Sequence, residues 1–165
     1  MTEHELPTPN VSPQDIEDYF DRYGWSFSRI KDETWQTGFR GNVSSFRIMV
    51  QLTDDWLYFV INPFVVGPQQ PEKRLKLYHH LLRLNQAINM AKFGIDRDGD
   101  VFLAVELPTE GFTYSHFKDG LDALSHYADT RYRDIFELAH GDHAETDYTL
   151  ELDDPDTTDD QSAEP

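Results

Sequence analysis

The sequence predicts an α+β domain, ordered helix, three or four antiparallel strands, helix, two-strand hairpin, helix, and three observations carry that prediction. Phe46, Ile48, Val50 and Leu52 alternate with Ser45, Arg47, Met49 and Gln51, the period of two expected of a strand with one buried face. Asp98-Gly99 lies between two further alternating runs, "AKFGID" and "DVFLAVEL", a strong local signal for a tight hairpin. Two longer stretches, entered at Pro71 and near Thr113, repeat apolar residues at helical spacing.

Residues 1–11 carry two prolines and no periodicity, which predicts a flexible lead-in. In "SPQDIEDYFDRYGW" Ser12 suits an N-cap, Pro13 the first helical position and Asp15 the positive helix end, while Gly24 stops the helix. Four extended runs follow, "WSFSRI", "TWQTGFR", "SSFRIMVQL" and "DWLYFVINPFVV", joined by short polar turns. Asn62 and Pro63 are expected to weaken or end the fourth. In the second helix Leu75, Tyr78, Leu81, Leu82, Leu84, Asn85 and Ile88 form the expected apolar stripe, with Lys73, Arg74, Lys76 and Arg83 outside it. The third helix runs through Phe117, Leu121, Leu124, Ala128 and Ile135 and fades near His140. The domain therefore spans residues 12–139, followed by a tail over 140–165.

Charge is unevenly placed. Residues 141–165 hold ten acidic residues and no Lys or Arg, within a net charge of −17. Such a field repels phosphate backbones and argues against nucleic-acid binding. The tail composition predicts disorder, with a solvating role and a docking role as alternatives. The absence of cysteine excludes disulfides and thiolate chemistry. No segment has the apolar length of a membrane helix, and the expectation is a cytoplasmic protein without membrane contact.

Asp96, Asp98 and Asp100 resemble the opening of a calcium loop. Counting from Asp96, however, the positions that require glycine and glutamate hold Val101 and Leu107, and strand-like residues flank the segment. A hairpin turn accounts for it better. His79 and His80 are adjacent on a helix and point about 100 degrees apart, so they cannot share one ion. His140, Asp142, His143 and Glu145 run from a helix end into the tail and make a poor metal site. No nucleophile elbow, Walker loop or dinucleotide turn is present. No metal or cofactor is expected. A hydrolase would require a polar cleft joining His79, His116 or His126 to carboxylates.

The most informative excess is apolar. In "DWLYFVI" Trp56, Tyr58 and Val60 alternate with Leu57, Phe59 and Ile61, so both faces of the strand are hydrophobic, and one needs covering by helices or by a partner. Trp35 and Phe39, on one face of the preceding strands, raise the same question. Trp35, Phe39, Trp56 and Tyr58 are the candidate partner-binding residues.

The tract containing Leu84-Asn85, Phe93-Gly94, Asp98-Gly99, Leu107-Pro108 and Glu110-Gly111 resembles the YbjN family, grouped with type III secretion chaperone-like proteins. That resemblance implies a secretion-chaperone-like α+β fold, no catalytic apparatus, and a small acidic protein that is usually dimeric and binds extended polypeptide on apolar surface. The functional expectation is a non-enzymatic, homodimeric protein-binding module, chaperone-like or regulatory. The alternative is a small-molecule or divalent-ion-responsive regulator, using a sheet–helix pocket or the acidic tail with the Asp96 turn.

Overall fold

The computed structural model describes residues 11–141. The elements are α1 (Pro13–Tyr23), β1 (Ser28–Lys31), β2 (Thr34–Arg40), β3 (Ser45–Leu52), β4 (Trp56–Val65), α2 (Pro71–Ala87), β5 (Ala91–Ile95), β6 (Val101–Pro108) and α3 (Tyr114–His140). The expectations for a flexible segment before Val11 and for a disordered tail fall outside the described residues. Val11 itself, placed by sequence in the lead-in, is buried against the core.

Local sequence explains the helix starts. Ser12 and Asp15 form a reciprocal capping box, with the Ser12 N–H donating to the Asp15 carboxylate at 2.7 Å and the Asp15 N–H donating to Ser12 Oγ at 3.2 Å. The last helix is capped by Thr113, whose N–H donates to His116 Nδ1 at 3.0 Å. His116 is thereby a capping residue.

The six strands form one antiparallel sheet in the order β1-β2-β3-β4-β6-β5. Phe46, Ile48, Val50, Leu57, Phe59, Ile61, Phe93, Leu103 and Val105 point to a single face and are buried. The helices cover that face: Phe117 of α3 meets Phe59 edge-on at 5.4 Å between ring centres and Phe20 of α1 at 5.0 Å. Farther along α3, Tyr132 packs against Phe46 and Phe64.

Three expectations need correction. Asn62-Pro63 weaken β4 as expected but do not end it; its pairing with β6 shifts register between Ile61 and Val65 and then resumes, so Phe64 still reaches the core. A proline lacks a donor, and a break in the ladder absorbs that loss without ending the strand. The buried stripe of α2 is Leu77, Leu81 and Leu84, continued by Ile88 just past its end, while Leu75 and Leu82 are 67% and 71% exposed. Asn85 is not part of an apolar stripe: its side chain accepts from the Phe93 N–H at 2.8 Å and donates to the Phe93 carbonyl at 2.9 Å, occupying the outer edge of β5.

The aspartate segment is a turn. Asp96 Oδ1 accepts from the N–H groups of Asp98 and Asp100 at 2.9 and 3.0 Å, and Gly99 supplies the positive φ of 86°. Asp100 Oδ1 accepts from the Gly67 N–H at 2.8 Å, tying the hairpin to the chain entering α2. Gly67 has to be glycine there, since a Cβ would sit 1.9 Å from the Gly99 carbonyl oxygen.

Candidate protein-binding face

The sheet has one covered face and one open face. Register sets the open face: Val60 lies between Met49 and Ala104, Tyr58 between Gln51 and Glu106, and Trp56 beside Pro108. Phe102 continues the same side of β6, opposite Gly94 of β5. Trp56 is 42% and Met49 38% exposed, while Tyr58, Val60 and Phe102 are partly exposed. A salt bridge of 2.8 Å between Lys92 and Glu106 borders the apolar group. At about 3.3 Å per residue and 4.8 Å per strand, Trp56 to Val60 by Met49 to Ala104 covers roughly 13 by 10 Å.

The main chain of Trp56 is held firmly in place. Its N–H donates to Thr53 Oγ1 at 3.0 Å, and its carbonyl accepts from the Thr53 N–H at 2.8 Å. Thr109, at the end of β6, fixes the same turn through its hydroxyl to the Asp54 carbonyl at 2.6 Å and its N–H to the Asp55 carbonyl at 3.0 Å. A large aromatic on a rigid turn loses little freedom when it is covered, which favours its use as a binding anchor.

The four sequence candidates separate. Trp56 and Tyr58 share the open face. Trp35 is completely buried on the covered face, where its Nε1–H donates to Glu17 Oε1 at 3.0 Å. Phe39 is half-buried between Trp25 at 5.5 Å and Phe46 at 5.1 Å. Trp35 therefore offers no surface to a partner, and Phe39 offers little, because inward alternation in β2 turns both toward the chain's own core. Val60 joins Trp56 and Tyr58 as the alternation of β4 expects, whereas Met49 and Phe102 were missed as candidates. The period-two pattern that placed Met49 opposite Phe46 and Ile48 already marked it as outward, yet the pairing of β4 with β6 could not be inferred from local pattern.

A polar cleft does lie between α3 and the β2–β3 hairpin, lined by Trp25, Arg40, Asn42, Asp122, Ser125 and His126 together with Asp129. Several of its polar groups are committed to structure. Asp129 accepts from the Asn42 N–H and Nδ2–H, each at 2.6 Å, and Ser125 Oγ donates to the Leu121 carbonyl at 2.6 Å. Asp122 accepts from the Tyr23 hydroxyl at 2.6 Å and from Lys118. Partial burial opposes ionisation of Asp122, but the hydrogen bonds from Lys118 and Tyr23 outweigh it and hold the carboxyl below its usual range. Burial, reinforced by Asp122, pushes the Tyr23 hydroxyl well up. His126 thus stands beside Ser125 and carboxylates without forming the nucleophile–base hydrogen bond that acyl chemistry needs. His80 is half-buried, and burial lowers its basicity. Among the described residues no group of three or more His, Asp or Glu is placed to hold a metal, and no helix is long and apolar enough to cross a membrane.

Comparison with known proteins agrees with this fold. No curated protein matches the chain in sequence. Among solved structures the chain is similar to YbjN from E. coli, with a TM-score of 0.54 and 18% identity over 78% of this chain and 91% of that one. It is also similar to a chain of the ExoU–SpcU heterodimer from the type III secretion system of Pseudomonas aeruginosa, with a TM-score of 0.53 and 16% identity over 76% and 98%. A chain of the HopA1–SchA chaperone–effector complex gives a TM-score of 0.50 and 15% identity over 75% and 91%. These likenesses show a shared α+β fold of secretion-chaperone type. Residues 12–137 match the family model for YbjN, described as "Putative bacterial sensory transduction regulator". With most of its length inside that match, the chain belongs to the YbjN family.

Proposed function

We propose that this protein is a non-enzymatic, cytoplasmic binding module that takes a polypeptide partner on its open sheet face, with Trp56 and Tyr58 as anchors. The observation carrying this reading is an apolar group across β3, β4 and β6 that no helix covers among the described residues, headed by Trp56 at 42% exposure. A flat face suits protein better than a small ligand, because small-molecule sites are concave. Two similar folds, those in the ExoU–SpcU and HopA1–SchA complexes, were found with protein partners, which supports the reading.

The apolar group is small. Its roughly 130 Å² footprint is well below the about 800 Å² per partner of a stable interface. It would act as the centre of a larger contact or as a seat for a short extended segment. We further propose that the chain is a homodimer, as the sequence resemblance implies. A small-molecule-responsive regulator is the second reading, favoured by the family description and by the cleft around Arg40, Asn42 and His126.

The test is capture of partners from the native cell by the intact protein, compared with a Trp56→Ser/Tyr58→Ser variant. Both side chains project from the open face, so the variant keeps its core. The reading expects partners retained by the parent and lost by the variant at unchanged thermal stability. An identical partner set on both proteins would refute it.

A further inference from the structure

α2 is a basic element in an acidic chain. It carries Lys73, Arg74, Lys76 and Arg83 against Glu72, in a protein of net charge −17. With Leu77, Leu81, Leu84 and Ile88 turned inward, its opposite side presents Leu75 and Leu82, which have the highest fractional exposures of the described large hydrophobics. Residues seven apart lie about 20 degrees apart around a helix. Leu75 and Leu82 therefore form one line along the helix, and Lys76 and Arg83 form a second line beside it. The result is an apolar stripe next to a cationic one. Among the described residues neither Lys76 nor Arg83 takes part in an ion pair.

The chain leaves α3 beside this helix. Lys73 Nζ donates to the Gly141 carbonyl at 3.2 Å, and His140 Nε2 donates to the Val66 carbonyl at 2.6 Å. Gly141, the last described residue, thus lies next to the first turn of α2. The sequence that follows has a matching double pattern: Tyr148, Leu150 and Leu152 alternate with Asp147, Thr149, Glu151 and Asp153. We propose that segment 147–153 of this same chain docks on the outer side of α2, with Tyr148, Leu150 and Leu152 over Leu75 and Leu82 and its carboxylates toward Lys76 and Arg83.

Length permits the contact. Lys73 to Leu82 is about 14 Å along a helix axis, whereas the seven residues from Gly141 to Tyr148 reach up to about 23 Å when extended. Tethering favours it as well, because a short linker gives an effective concentration on the order of millimolar, enough to populate a contact of only millimolar affinity. The attraction is between exposed charges and is screened over roughly 8 Å at physiological salt. The docked segment covers the exposed leucines of α2, a surface separate from the open sheet face. The inference therefore stands or falls independently of the proposed function.

The absence of native cysteine allows a spin label at a single introduced site, Thr149→Cys, in the full-length chain. Paramagnetic broadening is read on the amides of ¹⁵N-labelled protein at low salt. The expected result is selective broadening of α2 from Leu75 to Arg83, lost in a Lys76→Glu/Arg83→Glu background and reduced in 1 M NaCl. Both substituted residues lie on the helix surface, and an unchanged spectrum elsewhere confirms the fold. Broadening no greater on α2 than on the β5–β6 hairpin would overturn the proposal, as would broadening that survives charge reversal. A mixture of spin-labelled ¹⁴N chains with unlabelled ¹⁵N chains separates the sources, and equal broadening there would move the contact to a second copy and overturn the assignment to the same chain.

Discussion

Asn85 offers a direct test of how the sheet is bounded. Its amide meets both the N–H and the carbonyl of Phe93, at 2.8 and 2.9 Å, taking the place a further strand would occupy. Replacement by alanine removes both hydrogen bonds from a partly buried edge, at about 1 kcal/mol each. Alanine is the better helix former by roughly 0.5 kcal/mol, so the net loss for Asn85→Ala is about 1.5 kcal/mol. With a urea slope of about 2 kcal/mol per molar, the unfolding midpoint falls by roughly 0.8 M. Hydrogen exchange supplies a local readout: the Phe93 amide of the alanine variant loses protection by more than its neighbours on the paired side of β5. Asn85→Asp keeps an acceptor for that amide and lacks the donor, so it retains Phe93 protection while losing stability. An Asn85→Ala variant with an unchanged midpoint and a fully protected Phe93 amide would refute the argument. The same variant is expected to aggregate more readily at high concentration, since an unpaired strand edge is a template for further pairing.

Trp35→Ala leaves a cavity under α1 and is expected to cost about 3–5 kcal/mol, visible as a large drop in unfolding midpoint, so any loss of binding in that variant reports unfolding. Asp96 titrates in a way that can be followed. The N–H of Asp100 chiefly, with the Asn62 side chain and the N–H groups of Asp98 and Gly99, stabilises the carboxylate and holds its folded-state pKa below the ordinary value. A depressed carboxyl stabilises the fold above its unfolded pKa of about 3.9 and loses that contribution as the pH falls through its folded value. Asp96→Asn is therefore expected to be less stable than the parent at pH 7, and urea midpoints measured down to pH 3 should show that gap narrowing. Sedimentation velocity checks self-association, the proposed dimer having twice the 19.2 kDa chain mass.

Much of the fold was legible because local chemistry and tertiary packing agree. The cap of α1 at Ser12, the alternation of β3 and the Asp98-Gly99 turn each belong to interactions a few residues apart. Helix α2 was harder to phase. Leucines at 75, 77, 81, 82 and 84 fall on both sides of the cylinder, so composition admits more than one apolar stripe. Packing against α3 and β5 selects Leu77, Leu81 and Leu84 and leaves Leu75 and Leu82 outside. The candidate site was half legible. The two-sided apolar character of β4 correctly raised the question of an uncovered face. Which face was open depended on where three distant helices dock, and that also decided against Trp35. The role of Asn85 depends on β5 passing beside it after the turn and carries no local signature, although Leu84-Asn85 stood among the motifs shared with the family.

The strand order has a bearing on how the open face comes into being. β1 to β4 form a continuous meander and β5–β6 a local hairpin, and the two pieces meet only where β4 pairs with β6, across the whole of α2. Pairings this distant in sequence close after local ones, because a longer loop must be ordered before the contacts are gained. Tyr58 and Val60 stand on one bank of that seam, Ala104 and Glu106 on the other. Neither piece alone presents the complete surface. A partner that recognises it would in effect be selecting chains in which the seam has already closed.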